Sequence, residues 1–239
     1  MVVMSLDRDI GKILKLWEYH PDALIIRKIM GVDKKEKIQI RINMGLLQME
    51  TKGRPDGETP HDSQSLLEYY NSLIEEFADR DGSAENFALT KNDMMEVDRE
   101  LMQYYHRRIC FFALEDYTYA KADAEHNLAL MDIIRRHCKD SDYVESHERF
   151  RPFAIMERAR AIGLDSINKD DYASAMRHVG DAIDMIEEFY REHGVGEEDI
   201  RRKREVMILR KWRGQIHQEW EGGVSEMEAE EEEDDDIPL

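Results

Sequence analysis

The sequence predicts a mainly α-helical protein that begins with a short helix and a β-hairpin and continues as antiparallel helix pairs. From residue 62 onward, apolar residues recur every three or four positions, which is the spacing of amphipathic helices. A stretch around residue 40 instead alternates apolar and polar residues, as a half-buried strand does. The final residues are almost all acidic, which predicts a disordered C-terminal tail.

The first helix is predicted from an apolar stripe that runs from Leu6 to Trp17. Ser5 is a candidate N-cap, because its hydroxyl can accept a hydrogen bond from a first-turn amide. We expect the helix to end at His20, since Pro21 disfavours helical geometry in the residue before it.

The predicted hairpin joins an apolar, β-branched stretch at residues 24–30 to an alternating one through a polar turn. In the second stretch, strict alternation predicts one buried and one solvent-exposed face. Gly45 interrupts the alternation and indicates a β-bulge, and residues 53–57 (Gly-Arg-Pro-Asp-Gly) form a tight-turn sequence. The residues expected to be buried are Ile38, Ile40, Ile42 and Met44, and those expected in water are Lys37, Gln39, Arg41 and Asn43.

The remaining chain is divided into helices by caps and breakers. Leu66 to Phe77 forms one amphipathic stripe, and Thr90 with Asp93 predicts a capping box at the start of the next helix. Further helices are predicted at about 117–138, 147–169, 171–192 and 197–220. The expected domains are an N-terminal segment at 1–60, a helical domain at 61–220 and a disordered acidic tail at 221–239.

The composition argues against several classes of protein. The net charge is −19, and ten acidic residues but no lysine or arginine lie between 221 and 239. Such a balance disfavours general affinity for nucleic acid or anionic membranes. The two cysteines are too few for a disulfide scaffold. No secretory signal or membrane-spanning run is recognised, so a cytoplasmic location is expected.

The helical part contains an internal repeat. Asp116-Tyr117 with Ala120 recurs as Asp171-Tyr172 with Ala175, and both motifs open a helix. At these residues the chain resembles tetratricopeptide-repeat proteins, with Gly163 at the place of their first-helix glycine. The resemblance implies stacked helix pairs with a groove for a partner. The matching second-helix positions are Tyr117, Ala120 and Leu128 in the first copy and Tyr172, Ala175, Ala182 and Ile183 in the second.

The N-terminal part carries a second resemblance, to bacterial proteins with a UvrB/UvrC motif. It rests on residues 36–42 (EKIQIRI), 45–49 (GLLQM) and 53–57 (GRPDG). Those proteins join such a segment to tetratricopeptide-like helices. Their C-terminal helical hairpin is not evident here, and the acidic tail occupies its place.

Catalytic and metal-binding motifs are not recognisable in the sequence. It has no phosphate-binding glycine loop, nucleophile elbow or His-Glu-x-x-His helix. A stretch from Asp79 begins like a calcium loop, but Ala84 and Thr90 replace the required glycine and glutamate. Asp123 with His126 and His178 with Asp181 are interpreted as solvated helix faces. We therefore expect neither an enzyme nor a bound cofactor or metal.

The leading hypothesis is a protein-interaction or scaffold module that binds a partner protein or peptide in a helical-repeat groove. The alternative is a nucleic-acid-associated accessory protein, in which the acidic tail shields a basic helix at residues 200–213. By analogy with tetratricopeptide packing, the groove positions are Tyr105, Ile109, Phe112, Arg160 and Leu164.

Overall fold

The computed structural model describes residues 9–234 of the chain, with side chains through residue 222. Most of these residues are helical and one small antiparallel sheet lies near the N-terminus, so the predicted mainly α fold is confirmed. The chain divides into two compact units. Unit 1 extends through Asp116 and includes Arg136–Lys139, whereas unit 2 consists of Tyr117–Arg135 and the chain from Asp140 onward. The boundary expected near residue 60 falls inside unit 1.

Unit 1 begins with a single short helix, α1 (Gly11–Leu16), which ends earlier than predicted. Ser5, the predicted N-cap, lies outside the described residues. The chain then forms three antiparallel strands in the order β1-β2-β3: β1 (Ile25–Met30), β2 (Glu36–Ile42) and β3 (Gly45–Glu50). Gly45 is not at a bulge. It opens β3 opposite Ile42, because the chain reverses through residues 43–44.

The central strand β2 is buried on both of its faces, which the alternating pattern did not predict. Ile38 and Ile40 are buried as expected, but Ile42 and Met44 are exposed. Gln39 and Arg41, expected in water, are also buried. The segment after α1 explains this difference, because its groups contact the polar face: the Trp17 carbonyl accepts a hydrogen bond from Arg41 Nε at 2.8 Å, and its ring lies 4.0 Å from the Arg27 guanidinium. Gln39 bridges Arg27 and Gln48, so the buried amide keeps its hydrogen bonds.

Two long capped helices follow the sheet in unit 1. Ser65 caps α2 (Leu66–Asp81), and Gly82, with φ of 79°, ends it. Thr90 and Asp93 form the predicted capping box of α3 (Lys91–Ala113).

Unit 2 is built from helices whose bounds partly differ from the predicted ones. The short helix at residues 141–148 was not predicted. The helix expected at 197–220 is broken into two helices. The last helix also continues through residues 221–234, where a disordered tail was expected; residues 235–239 lie outside the described part. The helices are α4 (Tyr117–His137), α5 (Ser141–Glu148), α6 (Arg151–Ile167), α7 (Tyr172–Glu192), α8 (Glu197–Arg201) and α9 (Arg204–Asp234).

The internal repeat recurs in the backbone. Glu115 and Asp170, each two residues before a repeat tyrosine, both adopt positive φ, at 58° and 57°. In each copy the following amide bonds back to the preceding helix, Asp116 to the Phe111 carbonyl and Asp171 to the Ser166 carbonyl, both at 2.9 Å. Ala120 and Ala175 are fully buried. The same turn therefore starts a helix with a buried alanine twice in this chain.

Candidate functional site

Three helices of unit 2 line an open groove of about 720 Å³. Helix periodicity explains the lining, because residues three or four apart share one face of a helix. Each helix contributes such a set, which mixes apolar and charged side chains. The lining residues are Leu128, Asp132 and Arg135 from α4, Arg151, Ile155 and Arg158 from α6, and Asp184, Met185, Glu188, Phe189, Arg191 and Glu192 from α7.

The middle of the groove is apolar. Leu128 and Ile155 are almost fully buried and form its floor, while Met185 is 45% exposed. Phe189 is half-buried, and its ring packs on the ring of His193 at 4.1 Å. An apolar side chain of a ligand could therefore pack on the buried Leu128 and Ile155 and on the accessible thioether of Met185.

One end of the groove is held by an ion-pair network between α4 and α6. Arg151 donates to Glu148 on α5 at 2.7 Å and lies 3.0 Å from Asp132, which also accepts from Arg135 at 3.0 Å. Burial by itself would lower the pKa of Arg151, but the hydrogen bonds and charges of Glu148 and Asp132 raise it overall. Arg151 is thus a paired, structural cation.

The α7 side of this end is also internally paired. Arg191 contacts Glu188 at 2.8 Å, Glu197 at 2.7 Å and Glu187 at 3.2 Å. Hydrogen bonds from Arg191 to Glu197 and Glu188 raise the pKa of its guanidinium. The guanidinium is therefore engaged by the protein's own carboxylates.

Arg158 differs from these cations. Its Nη2 lies 3.4 Å from Met185 Sδ, a weak acceptor, and within the part of the chain that has described side chains it makes no ion pair. The side chain is half-buried against the apolar part of the groove. The groove thus contains one cation that the protein itself leaves available.

The five residues predicted to bind a partner do not line this groove. Tyr105, Ile109 and Phe112 share a face of α3 in unit 1, whereas Arg160 and Leu164 share a face of α6 in unit 2. All five are half-buried, and Arg160 donates to Glu157 at 2.7 Å. They stay a prediction about partner binding.

The groove residues were missed because their arrangement depends on tertiary packing. On α6, the stripe Arg151, Ile155 and Arg158 is ordinary amphipathic spacing and resembles a core face edged by solvated arginines. The approach of α4 adds Asp132 to the local partner Glu148 of Arg151, and the approach of α7 places Arg158 beside a thioether.

The basic segment of the alternative hypothesis is partly neutralised by the protein's own groups. Arg202 pairs with Glu198 and Arg210 with Glu187, both at 2.7 Å. Lys203 lies 4.8 Å from the centre of the Tyr190 ring. Burial and then the Glu205 carboxylate raise the pKa of Tyr190 to about 12.

In unit 1, the Gly-Arg-Pro-Asp-Gly turn is anchored on α3 by buried polar groups. Glu100, fully buried, accepts from the Leu66 amide at 2.9 Å and lies 3.3 Å from Arg54 Nε. Arg107 donates to the Gly53 carbonyl at 2.7 Å. Glu100 thus caps the positive end of α2 and neutralises Arg54, so that its charge stabilises the fold of unit 1.

Within the described residues, no three His, Cys, Asp or Glu side chains cluster as they would to hold a metal ion. No described helix combines the length and the hydropathy needed to cross a membrane.

Neither a known protein family, nor a curated protein, nor a solved structure matches this chain. The two family resemblances therefore stay predictions.

Proposed function

We propose that this protein is a non-enzymatic interaction module that binds a peptide segment of a partner protein in the groove of α4, α6 and α7. The observation that carries the proposal is the combination of a buried apolar floor, at Leu128 and Ile155, with charged rims on both sides. A peptide presents the same combination, with side chains for the floor and polar groups for the rims.

Ion pairs between the helices of the groove support this proposal. The network of Arg151, Asp132 and Glu148 ties α4, α5 and α6 together through short contacts of 2.7 to 3.0 Å. A groove that is already ordered loses less conformational entropy when a ligand binds. The sequence composition further leads us to propose that the partner is met in the cytoplasm.

A photo-cross-linking experiment tests the proposal in the cells that make the protein. A benzophenone amino acid replaces Met185, which is 45% exposed in the groove, or Met207, which is 56% exposed on α9 and does not line it. We expect discrete adducts with a partner protein from position 185 and none of them from position 207. Equal adducts from both positions, or none from position 185, would contradict the proposal.

The alternative function, nucleic-acid binding by the basic segment, is supported only by its exposed arginines, such as Arg201 and Arg204. Fluorescence anisotropy with labelled DNA and RNA compares the full chain with a variant that lacks residues 221–239. Binding that appears after truncation and falls steeply with salt would favour this alternative, as counterion release requires. We expect neither form to bind at physiological salt.

A further inference from the structure

From the geometry of the groove, we infer that its ligand is an extended peptide that pairs an acidic side chain with Arg158 and places a neighbouring apolar side chain on the groove floor. This inference rests on the proposed function, because it specifies the partner's chemistry at the same site. It is carried by the difference among the groove's arginines: Arg158 lacks a carboxylate partner among the described residues, and the other three have one.

The cations of the groove are not equivalent. Arg135, Arg151 and Arg191 each contact a carboxylate of the protein at 3.0 Å or less. A ligand acid would have to compete with those carboxylates. Among the side chains that the structure describes, Arg158 has the Met185 thioether as its polar contact and no carboxylate, so an incoming carboxylate gains a charge-assisted bond without displacing another one.

The acidic residues of the groove provide a weaker attraction for a ligand cation. Asp184 and Glu192 are exposed, so water screens any charge that approaches them. Arg158 is half-buried beside Ile155 and Met185, although its contact with Met185 is at the exposed side of the groove. Its partial burial and its lack of a carboxylate partner among the described residues therefore favour an acidic over a basic ligand side chain next to Arg158.

The position of Arg158 also limits where the acid lies in the ligand. On α6, Ile155 precedes Arg158 by less than one turn, which places the cation beside the apolar floor. In an extended peptide, side chains two residues apart point the same way and lie about 7 Å apart. We therefore expect the acidic residue within about two positions of an aliphatic or aromatic one.

Selection from a phage-displayed random peptide library tests this inference on the full-length protein. Wild-type protein, Arg158→Glu and the control Arg177→Glu serve as baits; Arg177 is exposed on α7 and does not line the groove. Wild type and the control should select the same acidic–apolar pattern, and Arg158→Glu should select lysine or arginine instead. Arg158→Lys should keep the acidic preference.

The affinities of selected peptides, measured by fluorescence anisotropy, provide the second readout. Loss of one charge-assisted pair, together with the repulsion from the new carboxylate, should weaken binding of an acidic peptide to Arg158→Glu about three- to tenfold. Circular dichroism establishes that each variant is folded. Peptides that bind the groove without an acidic residue, or that bind Arg158→Glu as tightly as wild type, would overturn the inference alone. Selected peptides unaffected by Met185→Glu, or no selected peptides at all, would overturn the proposed function together with it.

Discussion

The indole ring of Trp212 on α9 occupies the space that a side chain at Gly163 of α6 would need. A Cβ atom on Gly163 would lie 2.5 Å from Trp212 Cη2 and 3.1 Å from Cζ3. Glycine therefore lets α6 approach α9 closely at this point. This is a packing reason for the residue that the tetratricopeptide resemblance singled out.

Gly163→Ala should destabilise unit 2 by about 1–3 kcal/mol, because the ring or the helix has to move to admit the methyl group. Urea denaturation followed by circular dichroism measures the change. The matched control is Gly214→Ala on α9, where nothing lies within 4 Å of the added Cβ. That control should increase the free energy of unfolding by up to about 1 kcal/mol, because alanine has a higher helix propensity than glycine. Equal effects of the two changes would mean that Trp212 does not limit the packing at Gly163.

Ala175→Leu tests the buried alanine of the second repeat motif. Ala175 is fully buried on α7, so a larger side chain should overpack its surroundings and cost about 1–3 kcal/mol. Ala173→Leu, two residues earlier and exposed, should change the free energy of unfolding by less than about 0.5 kcal/mol. Thermal melts of both variants compare them directly, and a wild-type melting temperature for Ala175→Leu would contradict the packing argument.

Arg41→Glu should destabilise the N-terminal sheet, although the alternating pattern predicts a silent surface change. The Arg41 guanidinium donates to the carbonyls of Trp17 at 2.8 Å, Gly45 at 2.9 Å and Asn43 at 3.2 Å, and it also contacts Ile42. A carboxylate there would face these oxygens with no proton to share, at a cost of about 2 kcal/mol or more.

The control for this change is Lys35→Glu, which reverses the charge at an exposed position of the β1–β2 turn. Limited proteolysis of residues 20–50 is the measurement. We expect rapid cleavage in Arg41→Glu and wild-type protection in Lys35→Glu. Similar protection of both variants would show that the Arg41 hydrogen bonds contribute little.

His137 gives unit 1 a specific pH dependence. Burial, followed by the nearby Arg136 charge, lowers the pKa of His137, whose ring packs against Phe87 at 5.3 Å. A lowered folded-state pKa means that the unfolded chain binds the proton more readily, so stability falls as the pH drops below about 6.5. The free energy of unfolding stops falling once the pH is below the pKa of His137 in the folded protein.

His137→Phe keeps a neutral ring and should remove this part of the pH dependence. Urea midpoints measured between about pH 5 and 8 for wild type and variant would give the difference. His20→Phe, which replaces an exposed histidine by the same residue, is the matched control. A variant profile parallel to the wild-type one would exclude His137 as the source.

The sequence by itself determined the local elements of this protein. Apolar spacing predicted most of the helices but not α5 or the break between α8 and α9. The Thr90–Asp93 pair predicted the start of α3, and the repeated Asp-Tyr motif marked the same turn twice. These features depend on groups a few residues apart, whose hydrogen bonds and helix faces follow from local geometry. For the same reason the early strand pairing was predicted, whereas Gly45 was misinterpreted because a bulge and a turn share the same local signal.

Only the tertiary structure decided which polar residues are buried and where a ligand can bind. Arg41 and Gln39 have the sequence pattern of surface residues, but the segment at Trp17 covers them and supplies carbonyl and ring partners. Arg151 and Arg158 belong to one stripe of α6, yet Asp132 of α4 joins Glu148 in neutralising Arg151, whereas Arg158 lies on Met185 of α7. Desolvation and charge pairing depend on neighbours that are distant in the chain, so periodicity alone could not distinguish them.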